Sequence, residues 1–235
     1  MNEQPMKILS NGLTLQAVLT TPTADPWPLV VLCHGFLSHK DGSKYRQLAK
    51  FLSEEGVGSI RFDFRGCGKS EGLLRESTVS GRWSDLQKVI DEAESLDGFD
   101  GRLGLLGSSL GGYLALLETS RNSRVRCVVV WSTPSHLHEL AERLLEAAPV
   151  SMSKAFYEDL RRVDLLSRLD KVQRVLILHG KQDQQVLVDH ASRLFDAVQE
   201  PKKLHIFEDA DHRFSQEEAR EQAIRLSLDW FRRFL

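Results

Sequence analysis

Two adjacent serines stand in a glycine-rich stretch, GSSLGG at 107–112. A serine hydroxyl can act as a nucleophile in acyl transfer when it lies on a sharp strand-to-helix turn with glycine two positions before and two positions after it. Glycine occupies both of these positions around Ser109, whereas Leu106 and Leu110 occupy them around Ser108. The spacing therefore predicts that Ser109 is the nucleophile and that Ser108 is a small neighbour.

A serine nucleophile needs a base, and the base needs a carboxylate that orients it. Of the eight histidines in the chain, His212 follows the last predicted strand late in the chain, where such a base is expected. Asp183 lies on the loop after the preceding strand, whereas Asp209 and Asp211 lie beside the histidine. Acidic residues that are so near the histidine in the sequence usually shape the turn. We therefore favour Asp183 as the acid and keep Asp209 and Asp211 as alternatives.

Other chemistries fit the sequence less well. The stretch RGCGKS at 65–70 ends like a phosphate-binding loop, but that loop needs glycine at position 63, where Asp63 stands. We expect an ordinary turn there, with Asp63 and Arg65 paired. His136 and His138 are two positions apart, a spacing that does not share a helix face, and they lack a spaced third ligand. We expect no metal and no cofactor.

The elements that position these residues alternate between apolar runs and stretches of helical periodicity. Strands are predicted at 29–35, 57–64, 102–107, 125–132, 174–180 and 203–209. Helices are predicted at 45–56, 83–96, 110–118, 189–198 and 216–234. This order predicts an α/β fold with a mostly parallel sheet and helices on both faces. A hairpin around Asn11-Gly12 adds an antiparallel N-terminal edge.

The segment of about 134–170 interrupts this alternation. Its apolar residues are at helical spacing over 136–148, and a second helical stretch is predicted at 154–163. The segment is long for a crossover and short for a domain. We therefore expect a single domain over 1–235 with a small helical cap at 134–170.

Composition narrows the range of functions. The chain has 235 residues and a formal net charge of −2, which does not indicate a nucleic-acid partner. Its start does not resemble a signal peptide, and no apolar run approaches the roughly 18 residues of a membrane span. Its three cysteines cannot form a complete disulfide set. We expect a cytoplasmic protein without a membrane partner; the sequence indicates no oligomeric state.

Five blocks of the chain resemble the α/β-hydrolase superfamily in order and spacing. They are HGF (34–36), FDFRGCGKSEG (62–72), GSSLGG (107–112), HGKQD (179–183) and DADHRF (209–214). The chain looks most similar to small bacterial serine hydrolases of the serine aminopeptidase-like and cinnamoyl (feruloyl) esterase-like groups. It departs from them at Leu187 and Arg174, where such relatives often have proline. These departures weaken the resemblance to the subgroup and not the assignment of the triad, because neither residue takes part in the reaction.

The resemblance implies a role for each matching residue. Ser109 would be the nucleophile, His212 the base and Asp183 the acid that orients it. The backbone N–H groups of Phe36 and Leu110 would form the oxyanion hole. The implied activity is hydrolysis of carboxylic esters of small or aromatic acyl groups through an acyl-enzyme, with a small-molecule ester as the partner. The same triad could serve a peptidase, a thioesterase or a carbon–carbon bond hydrolase, and a non-catalytic ligand-binding protein is a further alternative.

Overall fold

The computed structural model describes residues 2–138 and 151–235. The strands of the sheet are β1 (Asn2–Ser10), β2 (Leu13–Thr21), β3 (Trp27–Cys33), β4 (Gly58–Phe62), β5 (Phe99–Ser108), β6 (Val125–Trp131), β7 (Val175–Gly180) and β8 (Lys202–Phe207). The α-helices within the described ranges are α1 (Ser43–Glu54), α2 (Val79–Ala93), α3 (Leu110–Thr119), α4 (Lys154–Asp159), α5 (Asp189–Ala197) and α6 (Glu217–Phe234). Each predicted strand is found within a few residues of its expected bounds.

The strands form one sheet in the order β1-β2-β4-β3-β5-β6-β7-β8. Strands β3 to β8 pair in parallel, whereas β2 is antiparallel to both β1 and β4. The first two strands are joined at Asn11-Gly12, where both residues have positive φ (49° and 81°). Asparagine and glycine tolerate that conformation, and it suits a two-residue hairpin. The predicted fold class and its antiparallel edge are confirmed.

Helices cover both faces of the sheet. On one face, α1 and α6 pack through Leu48, Leu52 and Phe231. On the other face, α2, α3 and α5 pack through residues such as Leu86 and Leu114. Strands β3, β4 and β7 are buried along their whole length, as expected for strands covered on both sides. Within the ranges that the structure describes, no helix is both long and apolar enough to cross a membrane.

The described part of the predicted cap contacts the sheet domain near the carboxyl ends of the strands. In α4, the Phe156 ring stacks on Phe36 with a centroid distance of 5.3 Å. The Asp159 carboxylate accepts hydrogen bonds from the N–H (2.6 Å) and the hydroxyl (2.7 Å) of Ser80. Most of the helix predicted at 136–148 lies outside the described residues. The single domain and its cap over 134–170 stay predictions.

The turn after β4 is built differently from our expectation. Asp63 does not pair with Arg65. Its carboxylate accepts hydrogen bonds from the Lys40 ammonium (3.0 Å), the Lys40 N–H (2.7 Å) and the Lys69 N–H (2.9 Å). Arg65 points instead to Asp85 on α2, with a shortest N–O distance of 2.6 Å. Asp63 thus fastens the loop after β3 to the loop after β4, a long-range contact that local spacing could not reveal.

We expect Asp63→Ala to lower the free energy of unfolding by about 2 to 3 kcal/mol, because the N–H groups of Lys40 and Lys69 lose their acceptor and the Lys40 ammonium keeps only the partly exposed Asp41 at 2.9 Å. Asp91→Ala is the matched control, since Asp91 pairs with Lys88 and Arg124 at the surface and should cost at most about 1 kcal/mol. Urea denaturation measures both variants. Equal losses would show that the Asp63 contacts do not hold the two loops.

Candidate active site

The carboxyl ends of the central strands open into a cleft of about 620 Å³. Ser109 and His212 both line it, and so does Phe36 from the loop after β3. Its walls also include residues from the start of α1 and from the loops that follow β7 and β8, namely Lys44, Tyr45, Gln185, Arg213 and Phe214. The loops that the sequence placed at one rim of the sheet therefore meet in one cavity.

Ser109 lies between β5 and α3 in a backbone conformation that few residues adopt, with φ 55° and ψ −124°. Such strained geometry is typical of functional turns. The conformation is held on both sides, because the Ser109 N–H donates to the Trp131 carbonyl (2.9 Å) and its carbonyl accepts from the Tyr113 N–H (3.0 Å). The N-terminus of α3 begins at the next residue, and its dipole favours negative charge beside Ser109.

The glycines of this turn are required by close backbone packing. A Cβ atom on Gly107 would come within 3.0 Å of the Gly111 carbonyl, and one on Gly111 would do the same at the Cys33 carbonyl. Real Cβ atoms do not approach backbone that closely. These glycines therefore give steric clearance, and the packing holds the Ser109 turn against the end of β3.

His212 and Asp183 are joined by a hydrogen bond of 2.7 Å between Nδ1 and Oδ2. The other carboxylate oxygen of Asp183 accepts from the N–H groups of Gln185 (2.9 Å) and Val186 (2.8 Å). Asp183 is buried, whereas the His212 side chain is 14% exposed. The carboxylate is therefore fixed in orientation, and its bond to Nδ1 directs Nε2 of a neutral His212 to act as a proton acceptor.

The two alternative acids have other surroundings. Asp209 is exposed. The Asp211 carboxylate accepts hydrogen bonds from the N–H groups of Arg213 (3.1 Å) and Ser215 (2.8 Å). Asp211 therefore shapes the loop that carries His212, while Asp183 is the carboxylate that the His212 ring contacts.

The N–H groups of Phe36 and Leu110 lie on either side of the Ser109 turn. A Cβ on Gly35 would be 3.4 Å from the Ser109 Cβ, so the loop before Phe36 packs directly on the serine. In the described part of the chain, neither N–H has a hydrogen-bond acceptor. Both are therefore free to donate to a substrate oxygen, as an oxyanion hole requires.

His34 orients this loop. Its Nε2 accepts a hydrogen bond from the Phe64 N–H (3.0 Å), so Nδ1 carries the proton and donates to the Gly35 carbonyl (2.7 Å). Burial lowers the His34 pKa to about 3, although the bond to Gly35 opposes the shift. His34 stays neutral at physiological pH, so its two hydrogen bonds add no buried charge to the loop.

Two basic residues at the site were missed from the sequence. The buried Arg82 guanidinium lies 4.9 Å from the Phe36 ring and donates to the Phe36 carbonyl (3.1 Å). The Lys44 ammonium donates to the Ser108 hydroxyl (2.8 Å). Burial, followed by repulsion from Arg213, lowers the Lys44 pKa to about 8. Neither residue belongs to a motif, and each lies one position before the predicted start of its helix, at 45 and at 83.

Metal ligation is a separate question. Across residues 2–138 and 151–235, no group of three or more histidine, cysteine or acidic side chains is arranged to hold a metal ion. His136 and His138 lie close together, with ring centroids 5.4 Å apart.

Comparisons with known proteins give one family match and several relatives that are similar to part of the chain. The model of the prolyl oligopeptidase family (Peptidase_S9) matches residues 43–235. An uncharacterised 31.7 kDa protein from the traX-finO intergenic region of Escherichia coli is 33% identical over 128 residues, which cover 53% of this chain and 44% of that protein. The mitochondrial palmitoyl-protein thioesterase ABHD10 of Homo sapiens is 39% identical over 90 residues, which cover 38% of this chain and 28% of that protein. The chain thus matches less than half the length of either relative.

Solved structures agree on the fold. Est1E from Butyrivibrio proteoclasticus, with ferulic acid bound, matches with a TM-score of 0.86 and 22% sequence identity. The match covers 97% of this chain and 99% of Est1E. At that identity, the likeness shows a shared fold.

We expect Gly111→Ala to lower the free energy of unfolding by about 2 to 3 kcal/mol, because the new methyl group would force β3 and α3 apart. Gly35→Ala is the matched control at the same rim, since its Cβ meets neighbours at ordinary contact distance and should cost less than about 1 kcal/mol. Thermal and urea unfolding compare the two. If Gly111→Ala is as stable as the control, the backbone packing described for this turn is wrong.

Proposed function

Because the chain belongs to the prolyl oligopeptidase family, within the α/β-hydrolase superfamily, we propose that it is a serine hydrolase of carboxylic esters with small or aromatic acyl groups. Ser109 is the nucleophile, His212 the base and Asp183 the acid. One juxtaposition carries the proposal: the strained Ser109 turn shares a cleft with His212, whose Nδ1 is 2.7 Å from the buried Asp183 carboxylate.

The mechanism follows from these contacts. The Asp183 carboxylate keeps the proton of neutral His212 on Nδ1, so Nε2 takes the Ser109 proton while Oγ attacks the ester carbonyl. The N–H groups of Phe36 and Leu110 stabilise the negative oxygen of the tetrahedral intermediate. As the carbon–oxygen bond to the leaving group breaks, His212 returns its proton to the departing alcohol. Water then attacks the acyl-enzyme by the same steps and releases the acid and free Ser109.

The cleft supports a small or aromatic acyl group. At about 620 Å³ it is within the range of small-ligand pockets. Aromatic residues line it from three elements, namely Phe36, Tyr45 and Phe214. Flat rings bury well against such walls. The ferulic acid in the Est1E structure is itself an aromatic acid.

Two other bonds are alternatives to the oxyester as the bond that is cleaved. The human relative is named a palmitoyl-protein thioesterase, which favours a thioester, and the family description favours a peptide bond. The triad proposed here serves all three, because each reaction passes through an acyl-enzyme.

Replacement of Ser109 by alanine should remove the nucleophile. We expect Ser109→Ala to lower kcat for p-nitrophenyl butyrate by on the order of 10⁵- to 10⁶-fold and to abolish labelling by a fluorophosphonate. Ser108→Ala should still be labelled, since glycine spacing places Ser109 at the turn. Labelling of Ser109→Ala but not of Ser108→Ala would assign the nucleophile to Ser108 and contradict the proposal.

A panel with a constant acyl group identifies the bond. We expect kcat/KM to be at least about tenfold higher for phenyl butyrate than for S-phenyl thiobutyrate or butyranilide, both corrected for their uncatalysed rates. An aminoacyl-naphthylamide serves as a second amide substrate, one that resembles a peptide. A clear preference for the thioester or for the amides would replace the ester assignment, with the triad retained.

A further inference from the structure

Three lysine and arginine side chains line the cleft around Ser109, and the proposed mechanism uses none of them. Arg220 donates to the Gln47 side chain and to the Phe214 and Ser215 carbonyls, which leaves Lys44 and Arg213. Lys44 is the second residue of α1, and its ammonium donates to the hydroxyl of Ser108, the neighbour of the nucleophile. Arg213 follows His212 directly. Both line the same cleft as Ser109.

Neither cation has a carboxylate partner within 4.0 Å in the part of the chain that the structure describes. Some buried or half-buried cations of the fold have a carboxylate partner: Lys40 lies 3.0 Å from Asp63, and Arg65 lies 2.6 Å from Asp85. Others, such as Arg82, donate to several neutral acceptors. Buried charges are usually paired or fully hydrogen-bonded because desolvation is costly, whereas the Lys44 ammonium has one hydrogen bond and no ion pair among the described residues.

The other groups around Lys44 do not compensate its charge fully. Its ammonium lies 5.3 Å from the Tyr45 ring and 5.7 Å from the Trp131 ring, contacts that stabilise a cation weakly. Arg213 repels it, and Asp211 attracts it at longer range. One oxygen of the Asp211 carboxylate, Oδ1, accepts two backbone N–H groups, and the carboxylate forms no ion pair with Lys44 within 4.0 Å. Two donors of the Lys44 ammonium remain for a ligand.

We propose that the substrate hydrolysed at Ser109 carries a second, anionic group, a carboxylate or a phosphate, which Lys44 and Arg213 bind. This inference rests on the proposed function and adds a substrate class to it. An oxyanion group of the substrate satisfies both cations at once, since lysine and arginine donate strong hydrogen bonds to such groups. A neutral substrate offers neither cation such a partner.

Three comparisons of esters test the inference on the full chain. The monoester p-nitrophenyl hydrogen adipate against p-nitrophenyl hexanoate places a carboxylate in the acyl group. The ester 4-carboxyphenyl butyrate against phenyl butyrate places the carboxylate in the leaving group. Against the same phenyl butyrate, 4-(butyryloxy)phenyl phosphate places a phosphate there. We expect kcat/KM for at least one anionic ester to exceed that of its neutral partner about tenfold, through a lower KM.

Variants of Lys44 test whether this residue causes the preference for anionic esters. In Lys44→Met the anionic-to-neutral ratio of kcat/KM should fall about tenfold, whereas Lys44→Arg should retain most of it. Comparing ratios removes the intrinsic reactivity of each leaving group. Lys50→Met is the matched control, because Lys50 is an exposed lysine of the same helix that pairs with Glu54; it should leave the ratio unchanged.

The outcomes separate this inference from the proposed function. A wild-type enzyme that hydrolyses the neutral esters and prefers no anionic partner overturns the inference and leaves the hydrolase intact. An equal ratio in Lys44→Met and Lys50→Met also overturns it and makes Lys44 a structural tie to Ser108. If no ester is hydrolysed and a fluorophosphonate does not label Ser109, the proposed function fails and the inference fails with it.

Discussion

The close approach of the Cys33 carbonyl to Gly111 is the contact on which the site depends. It brings the end of β3 against the first turn of α3 at a separation that no side chain would permit. Ser109 is thereby held at the top of the turn, and the Gly35 backbone packs on it. A nucleophile and two candidate oxyanion donors therefore arise from one packing constraint, because both N–H groups belong to the two segments that this contact joins.

A neutral histidine and a charged pair both hold the loop after β3 near this contact. Neutral His34 fixes the loop after β3 from within, since its protonated Nδ1 binds Gly35 and its Nε2 receives the Phe64 N–H. The charged pair of Asp63 and Lys40 fixes the same loop farther along. His34 therefore adds no positive charge next to the reacting atoms, and the buried Asp63–Lys40 pair lies farther along the same loop.

Local spacing explains how much of this arrangement could be predicted. The glycine spacing around Ser109 and the strand–helix alternation are patterns within short stretches of sequence, so the fold class could be predicted and the candidate nucleophile proposed. The contact with Cys33 that requires Gly111 is long-range and could not be predicted. The partners of Asp63 were predicted wrongly, because Lys40 is 23 positions away and reaches it through the fold. Lys44 was missed for the same reason, since its contact with Ser108 spans 64 positions.

The charge of the side chains that line the cleft need not have the same sign as the net charge of the whole chain. The whole chain has a formal net charge of −2. Asp183 lies behind His212 and does not line the cleft, and both oxygens of its carboxylate are occupied by His212 and by backbone N–H groups. The Lys44 ammonium lines the cleft and keeps donors that no described carboxylate accepts. The local charge that a ligand meets in the cleft can therefore differ in sign from the net charge of the chain, which is the basis of the proposed preference for an anion.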